Sequence, residues 1–127
     1  MAPLSGFHHV KIPVSDIATS RAWYERVLGL ETVIEFTEGS TVMGVALADP
    51  SGAVQVALRL DPSRAAALAG FDPIAFSVPT RDDVERWRRR LDRLEQPHGG
   101  VVTGHDGGSV LVGLHDPDGI ELRLYAD

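Results

Sequence analysis

The sequence predicts an α+β fold: two tandem βαβββ modules forming a curved, partly open eight-stranded sheet around a cleft. Three observations predict it. A period-two apolar pattern recurs 64 residues later, a tryptophan-bearing helical stretch follows each copy, and an Asp-Pro-X-Gly turn comes late in each half.

In the first strand pattern Val10, Ile12 and Val14 alternate with His9, Lys11 and Pro13; Ile74, Phe76 and Val78 repeat it. Such alternation marks a half-buried strand. The same offset relates Trp23 to Trp87. Around the first, Trp23, Tyr24, Val27 and Leu28 form an apolar stripe that stops at Gly29, a residue favoured just past a helix end. Around the second, Thr80 and Asp83 have capping-box spacing, Val84, Trp87, Leu91 and Leu94 make the stripe, and Pro97 closes it. Asp16 and Thr80 read as helix caps.

The turns Asp49-Pro50-Ser51-Gly52 and Asp116-Pro117-Asp118-Gly119 follow the strands Val42 to Leu47 and Val110 to Leu114. Pro presets φ and Gly permits the tight return. The strands after them alternate through Val54, Val56 and Leu58, and through Ile120, Leu122 and Leu124. The expected organisation is one domain over residues 1–127, with module one at about 5–60, an Ala-rich connector at about 61–70 that holds at most a short helix, and module two at about 71–127.

Bulk properties narrow the function. There is no Cys, which removes disulfides, thiolate metal sites and thiol nucleophiles. A formal charge of −6 disfavours nucleic acid, and the run Arg86 to Arg90 is interleaved with Asp82, Asp83, Glu85, Asp92 and Glu95 as in a solvated helix face. No apolar run reaches the roughly 20 residues that span a bilayer. Met1 to Phe7 lacks a basic start and a long apolar stretch, so the expected location is cytoplasmic.

If the apolar alternation faces the helices, the opposite sheet face carries His9, Lys11, Gln55, Arg59, Ser77, Glu121, Arg123 and Tyr125. A face this polar must meet water or a ligand, since burying it unpaired is costly. Lys11, Gln55, Arg59, Arg123 and Tyr125 are the expected substrate contacts, and His9 and Glu121 the candidate catalytic pair. Partial desolvation would raise the Glu121 pKa and suit it to act as a base. His98 and His105 fall in a Gly-rich stretch, Gly99 to Gly108 and its approach, that reads as a mobile loop able to complete a site; His115 beside the second turn reads as exposed.

Taken together, His9 to Asp16, Ser20 to Leu30, Ile74 to Val78 and Asp116 to Leu122 resemble the vicinal oxygen chelate superfamily, also called the glyoxalase, bleomycin-resistance and extradiol-dioxygenase superfamily, over essentially the whole chain. That resemblance implies a homodimer and a small-molecule ligand in the sheet cleft, where His9 and Glu121 are expected to converge. In metal-using members the first and last strands of each half supply His and Glu ligands; carried over by position, these are His9, Gln55 and Glu121. Pro73 stands where a second His is expected.

Proline offers no donor, so the set predicts no tight site for Fe, Zn, Ni, Mn or Co. The leading expectation is a protein that binds a small organic molecule without a tight metal site, either by binding alone or with acid–base catalysis. The alternatives are a divalent-metal-dependent lyase, isomerase or dioxygenase, and an antibiotic-sequestering resistance protein.

Overall fold

The computed structural model describes residues Met1–Asp127. The chain divides into two units, Met1–Ala65 and Ala66–Asp127. Both have the predicted βαβββ order.

In the first unit β1 (Val10–Val14) leads into α1 (Ile17–Leu28), followed by β2 (Glu31–Glu38), β3 (Thr41–Ala48) and β4 (Gln55–Leu60). The sheet order is β1-β4-β3-β2, with β1 parallel to β4 and the other neighbours antiparallel. Val10 pairs with Val56, Ile12 with Leu58 and Val14 with Leu60, so apolar residues of both strands share one face. Ile12, Val14, Val45, Leu47, Val56 and Leu58 are buried on it. Helix α1 buries Tyr24 and Val27, while Trp23 and Leu28 are only half-buried.

Asp16 caps α1 by accepting from the Thr19 N–H at 2.8 Å. Gly29 ends the helix in the left-handed region at φ 72°, where its N–H donates to the Glu25 carbonyl.

The connector contains α2 (Pro62–Leu68). The second unit then runs β5 (Ile74–Ser77), α3 (Arg81–Arg93), β6 (Val101–Thr103), β7 (Ser109–His115) and β8 (Glu121–Ala126), in sheet order β5-β8-β7-β6. Ile74 pairs with Leu122 and Phe76 with Leu124. Leu111, Leu114, Leu122 and Leu124 are buried, as are Val84 and Leu91 of α3. The eight strands are thus shared as four per unit, within the expected α+β class.

Three local expectations need correction. Trp87 does not join the buried stripe of α3; it lies half-exposed in a groove with Arg86, Arg90 and Arg93, with the Arg90 guanidinium 5.7 Å from its ring centre. The helix also stops before Pro97, because Glu95 turns left-handed at φ 56° and the Gln96 N–H returns to the Leu91 carbonyl at 2.9 Å. Finally, the glycine-rich stretch is a hairpin containing β6, not a loose loop. Gly104 N–H donates to the Gly108 carbonyl at 2.7 Å across its tip.

The two Asp-Pro turns are built alike. Asp49 accepts from the Val54 N–H at 2.7 Å and Asp116 from the Ile120 N–H at 3.1 Å. The first turn is one residue longer, so Asp49 and Asp116 are 67 residues apart but Val54 and Ile120 only 66.

Candidate functional site

Alternation along β8 sends Leu122, Leu124 and Ala126 into the core and Glu121, Arg123 and Tyr125 to the opposite face. Register brings Ala75 of β5 beside Arg123, and Val110 of β7 beside Tyr125; Val102 of β6 lies beside Val110. These residues border a cavity of about 630 Å³ with an apolar wall of Ala75, Val102, Val110 and Val112. Its polar groups are Asp72, Arg123, Tyr125, His105 and Asp106.

Arg123 lies between two carboxylates. Its Nε is 2.7 Å from Glu121 Oε2 and 3.3 Å from Asp72 Oδ2. The same Glu121 oxygen accepts the Gly113 N–H at 3.1 Å. That N–H is available because a bulge interrupts the β7–β8 register between Leu111 and Leu114. Burial pushes the Glu121 carboxyl up, but the Arg123 bond, the Gly113 N–H and the nearby charges of Arg123 and His115 together outweigh it, and the net shift is downward. The rise expected from desolvation is therefore reversed. Glu121 holds the Arg123 cation, whose own pKa is raised by that bond.

Tyr125 donates its hydroxyl to Asp106 at the hairpin tip. The bond lowers the Asp106 pKa, assisted by the Gly108 N–H, and raises that of Tyr125. Gly104 and Gly108 let the tip sit against the phenol: a Cβ on either would collide with the Tyr125 ring or hydroxyl. Asp72 and Asp106 escaped sequence reasoning because neither lies in a periodic stretch. The flanking Gly104 and Gly108 were the available signal for Asp106.

His9, Lys11, Gln55 and Arg59 belong to the first unit. His9 precedes β1 and is exposed, with its Nδ1 2.9 Å from Nδ1 of His8. Lys11 and Gln55 are exposed, and Arg59 is half-buried and 3.3 Å from Glu38. Lys11 pairs with Ala57 and Pro13 with Arg59, so this register carried back two residues from Lys11 sets His9 beside Gln55. His115 is exposed, as expected. His98 lies in the loop between α3 and β6 with its side chain tied down: its Nε2 is 2.7 Å from Asp92 and its Nδ1 accepts the Gly100 N–H at 2.9 Å.

These donors do not fit a tight divalent-metal site. His9 and Gln55 are two ligands, Pro73 supplies none, and Glu121 Oε2 is already occupied by a guanidinium and an amide N–H. No group of three or more His, Asp or Glu side chains gathers to hold an ion.

Two tandem βαβββ units make this an α+β protein of the tandem-module kind. A family model described as the Glyoxalase/Bleomycin resistance protein/Dioxygenase superfamily matches residues 6–124, and the chain belongs to that superfamily. It is similar in structure to an integron cassette protein from the mobile metagenome of the Halifax Harbour sewage outfall, at 20% identity, 98% and 100% coverage of the two chains and TM-score 0.80. It is also similar to lactoylglutathione lyase from Agrobacterium tumefaciens (20% identity, 97% and 94% coverage, TM-score 0.77). A third similar structure is a mutant of the fosfomycin resistance protein FosX from Listeria monocytogenes, complexed with Mn(II) and 1S,2S-dihydroxypropylphosphonic acid (17% identity, 98% and 93% coverage, TM-score 0.73). No curated protein matches the chain in sequence. No helix is long and apolar enough to cross a membrane.

Proposed function

We propose that this chain binds a small organic molecule on the open sheet face of its second unit, with Arg123 and Tyr125 as polar contacts and Glu121 as the residue that positions Arg123. One observation carries the reading: a cavity of about 630 Å³ whose apolar wall meets a few convergent polar side chains. Concave, largely apolar sites with few placed polar groups are the usual form of small-molecule sites. On the sheet of the first unit, Lys11, Gln55 and Arg59 are proposed polar contacts in their own right.

Binding is favoured over acid–base turnover through Glu121, because a carboxyl with a lowered pKa is a weak base at neutral pH. A metal-dependent lyase, isomerase or dioxygenase draws support from superfamily membership, and the donor set argues against it. Homodimerisation belongs to the same proposal and is read directly by light scattering.

The test is a fragment screen of chelator-treated protein, followed by amide chemical shifts. Hits should move the signals of Ala75, Val102, Val110 and Arg123 together. Hits that move other surfaces only, or that need added metal, would overturn the proposal.

A further inference from the structure

We infer that the preferred ligand of the second unit's cavity is an organic cation with an apolar body, carrying one ammonium- or guanidinium-like head. The inference rests on the reading of that sheet face as the ligand site and adds its chemical class.

The argument begins with fixed charge. Asp72, Asp106 and Arg123 line the cavity, and Glu121 lies directly against Arg123. In and against the cavity wall there are therefore three carboxylates and one guanidinium. That guanidinium is answered twice, by Glu121 at 2.7 Å and by Asp72 at 3.3 Å. Asp106 accepts from neutral donors, among them the Tyr125 hydroxyl and the Gly108 N–H at 3.2 Å. Hydrogen bonding disperses its negative charge without cancelling it. His105 is the remaining ionisable group on the wall.

An incoming anion at Arg123 would find a guanidinium already paired with Glu121 and Asp72, with both carboxylates close by. Like charge at such distances is unfavourable and strengthens as water is displaced. An incoming cation meets the opposite situation: Asp72 and Asp106 attract it, and the positive charge of Arg123 is already paired with Glu121 and Asp72. The whole chain, with a formal charge of −6, adds a long-range field of the same sign.

The apolar wall supplies the second half of the specification. Ala75, Val102, Val110 and Val112 offer no hydrogen bonds from their side chains, so a hydrocarbon or aromatic body is what they reward. Val102 is 46% exposed and gains most from being covered. At roughly 30 Å³ for each water-sized group, about 630 Å³ admits a body on the order of 20 non-hydrogen atoms. A small inorganic cation would leave the wall wet, and an uncharged hydrocarbon would leave the carboxylates unanswered.

The experiment uses three probes of one shape: 4-phenylbutylamine, 4-phenylbutanol and 4-phenylbutyrate, titrated at pH 8 and low ionic strength while the amide signals of Ala75, Val102 and Val110 are followed. The amine should bind at least about tenfold more tightly than the acid, with the alcohol between them, and the preference should shrink as salt is added. Asp72→Asn and Asp106→Asn should each lower the ratio of amine to alcohol affinity about three- to tenfold; the alcohol reports separately whether the variant has kept its cavity. If the alcohol or the acid shifts these signals and the amine binds no more tightly than the acid, the cation assignment is overturned while the site stands. If none of the three shifts them, the site reading itself fails and the cation assignment with it.

Discussion

Arg123 Nε and Glu121 Oε2 stand 2.7 Å apart on the same face of β8, two residues along one strand, and the Gly113 N–H donates to the same carboxylate oxygen at 3.1 Å. The Glu121 side chain is only 13% exposed, so this is a charge-assisted pair in a partly desolvated place. Because its folded pKa lies below the ordinary value of 4.5, the carboxylate contributes stability that is fully present above that value. The contribution is lost as pH falls through the lower, folded pKa. Glu121→Gln should therefore flatten the acid limb of a stability-against-pH curve below about pH 5, and cost about 1–2 kcal/mol at pH 7. Urea unfolding at several pH values reads both; an unchanged acid limb would show that the pair has no differential strength in the folded state. Asp16 and Asp49 are also lowered, by the Thr19 N–H and the Ser51 hydroxyl respectively, so part of the limb should remain.

Ser20 is 1% exposed on the inner side of α1, and its hydroxyl has no hydrogen-bond partner. An unsatisfied buried hydroxyl costs about 1–3 kcal/mol relative to a satisfied one. Alanine is also the better helix former. Ser20→Ala should consequently leave stability unchanged or raise it by about 1 kcal/mol, measured by chemical denaturation. A loss of more than about 1 kcal/mol would reveal a bond made by this hydroxyl in solution.

The Asp-Pro turns make a graded pair. Asp116 is 5% exposed and accepts both the Asp118 N–H at 2.9 Å and the Ile120 N–H at 3.1 Å. Removing the carboxylate leaves the N–H of fully buried Ile120 without its side-chain acceptor. Asp116→Ala should cost about 1–3 kcal/mol, whereas Asp116→Asn, which keeps one acceptor oxygen, should cost less. Equal losses for the two variants would indicate that charge, not hydrogen bonding, secures the turn.

These turns were readable in advance because their chemistry is local: an Asp that accepts, a Pro that presets φ and a Gly that allows the return repeat within four residues. The same holds for Val10, Ile12 and Val14 and for the Thr80–Asp83 capping box, where strand period or helix spacing directly assigns a face. Short or long-range relations were hidden. β6 has three residues, Val101–Thr103, too few to display an alternation. Trp87 was placed on the inner stripe by its helical spacing from Val84 and Leu91, yet only those two are buried in α3. Tyr125 and Asp106 meet only after β7 and β8 pair, a contact no local pattern announces. The polar face was thus legible from alternation alone, while the cavity it borders depended on a hairpin tip that only folding brings into place.

The hairpin tip gives a fourth prediction. A Cβ at Gly108 would lie 2.7 Å from the Tyr125 ring and against the Ala126 carbonyl, a backbone atom that cannot rotate away. Gly108→Ala should cost about 1–3 kcal/mol by overpacking. At Gly104 the obstruction is chiefly the Tyr125 hydroxyl, the end of a side chain that can swing aside. Gly104→Ala should therefore be the milder change in stability, and Gly104→Ala in a Tyr125→Phe background milder still. Comparing the three by denaturation checks the order.

Glu95 is the one residue other than glycine with positive φ, at 56°. It occupies the position just past the end of α3, where the Gln96 N–H closes the helix onto the Leu91 carbonyl at 2.9 Å. A left-handed conformation costs a residue with a Cβ roughly 1–2 kcal/mol, and glycine avoids that cost at the expense of a more flexible unfolded chain. The first term is the larger, so Glu95→Gly should raise stability by about 0.5–1 kcal/mol. Removing a negative charge from the negative end of the helix dipole acts in the same direction. Glu95→Ala separates the two effects, since it deletes the charge and keeps the strain. If Glu95→Gly is no more stable than Glu95→Ala, the left-handed cap carries no strain in solution.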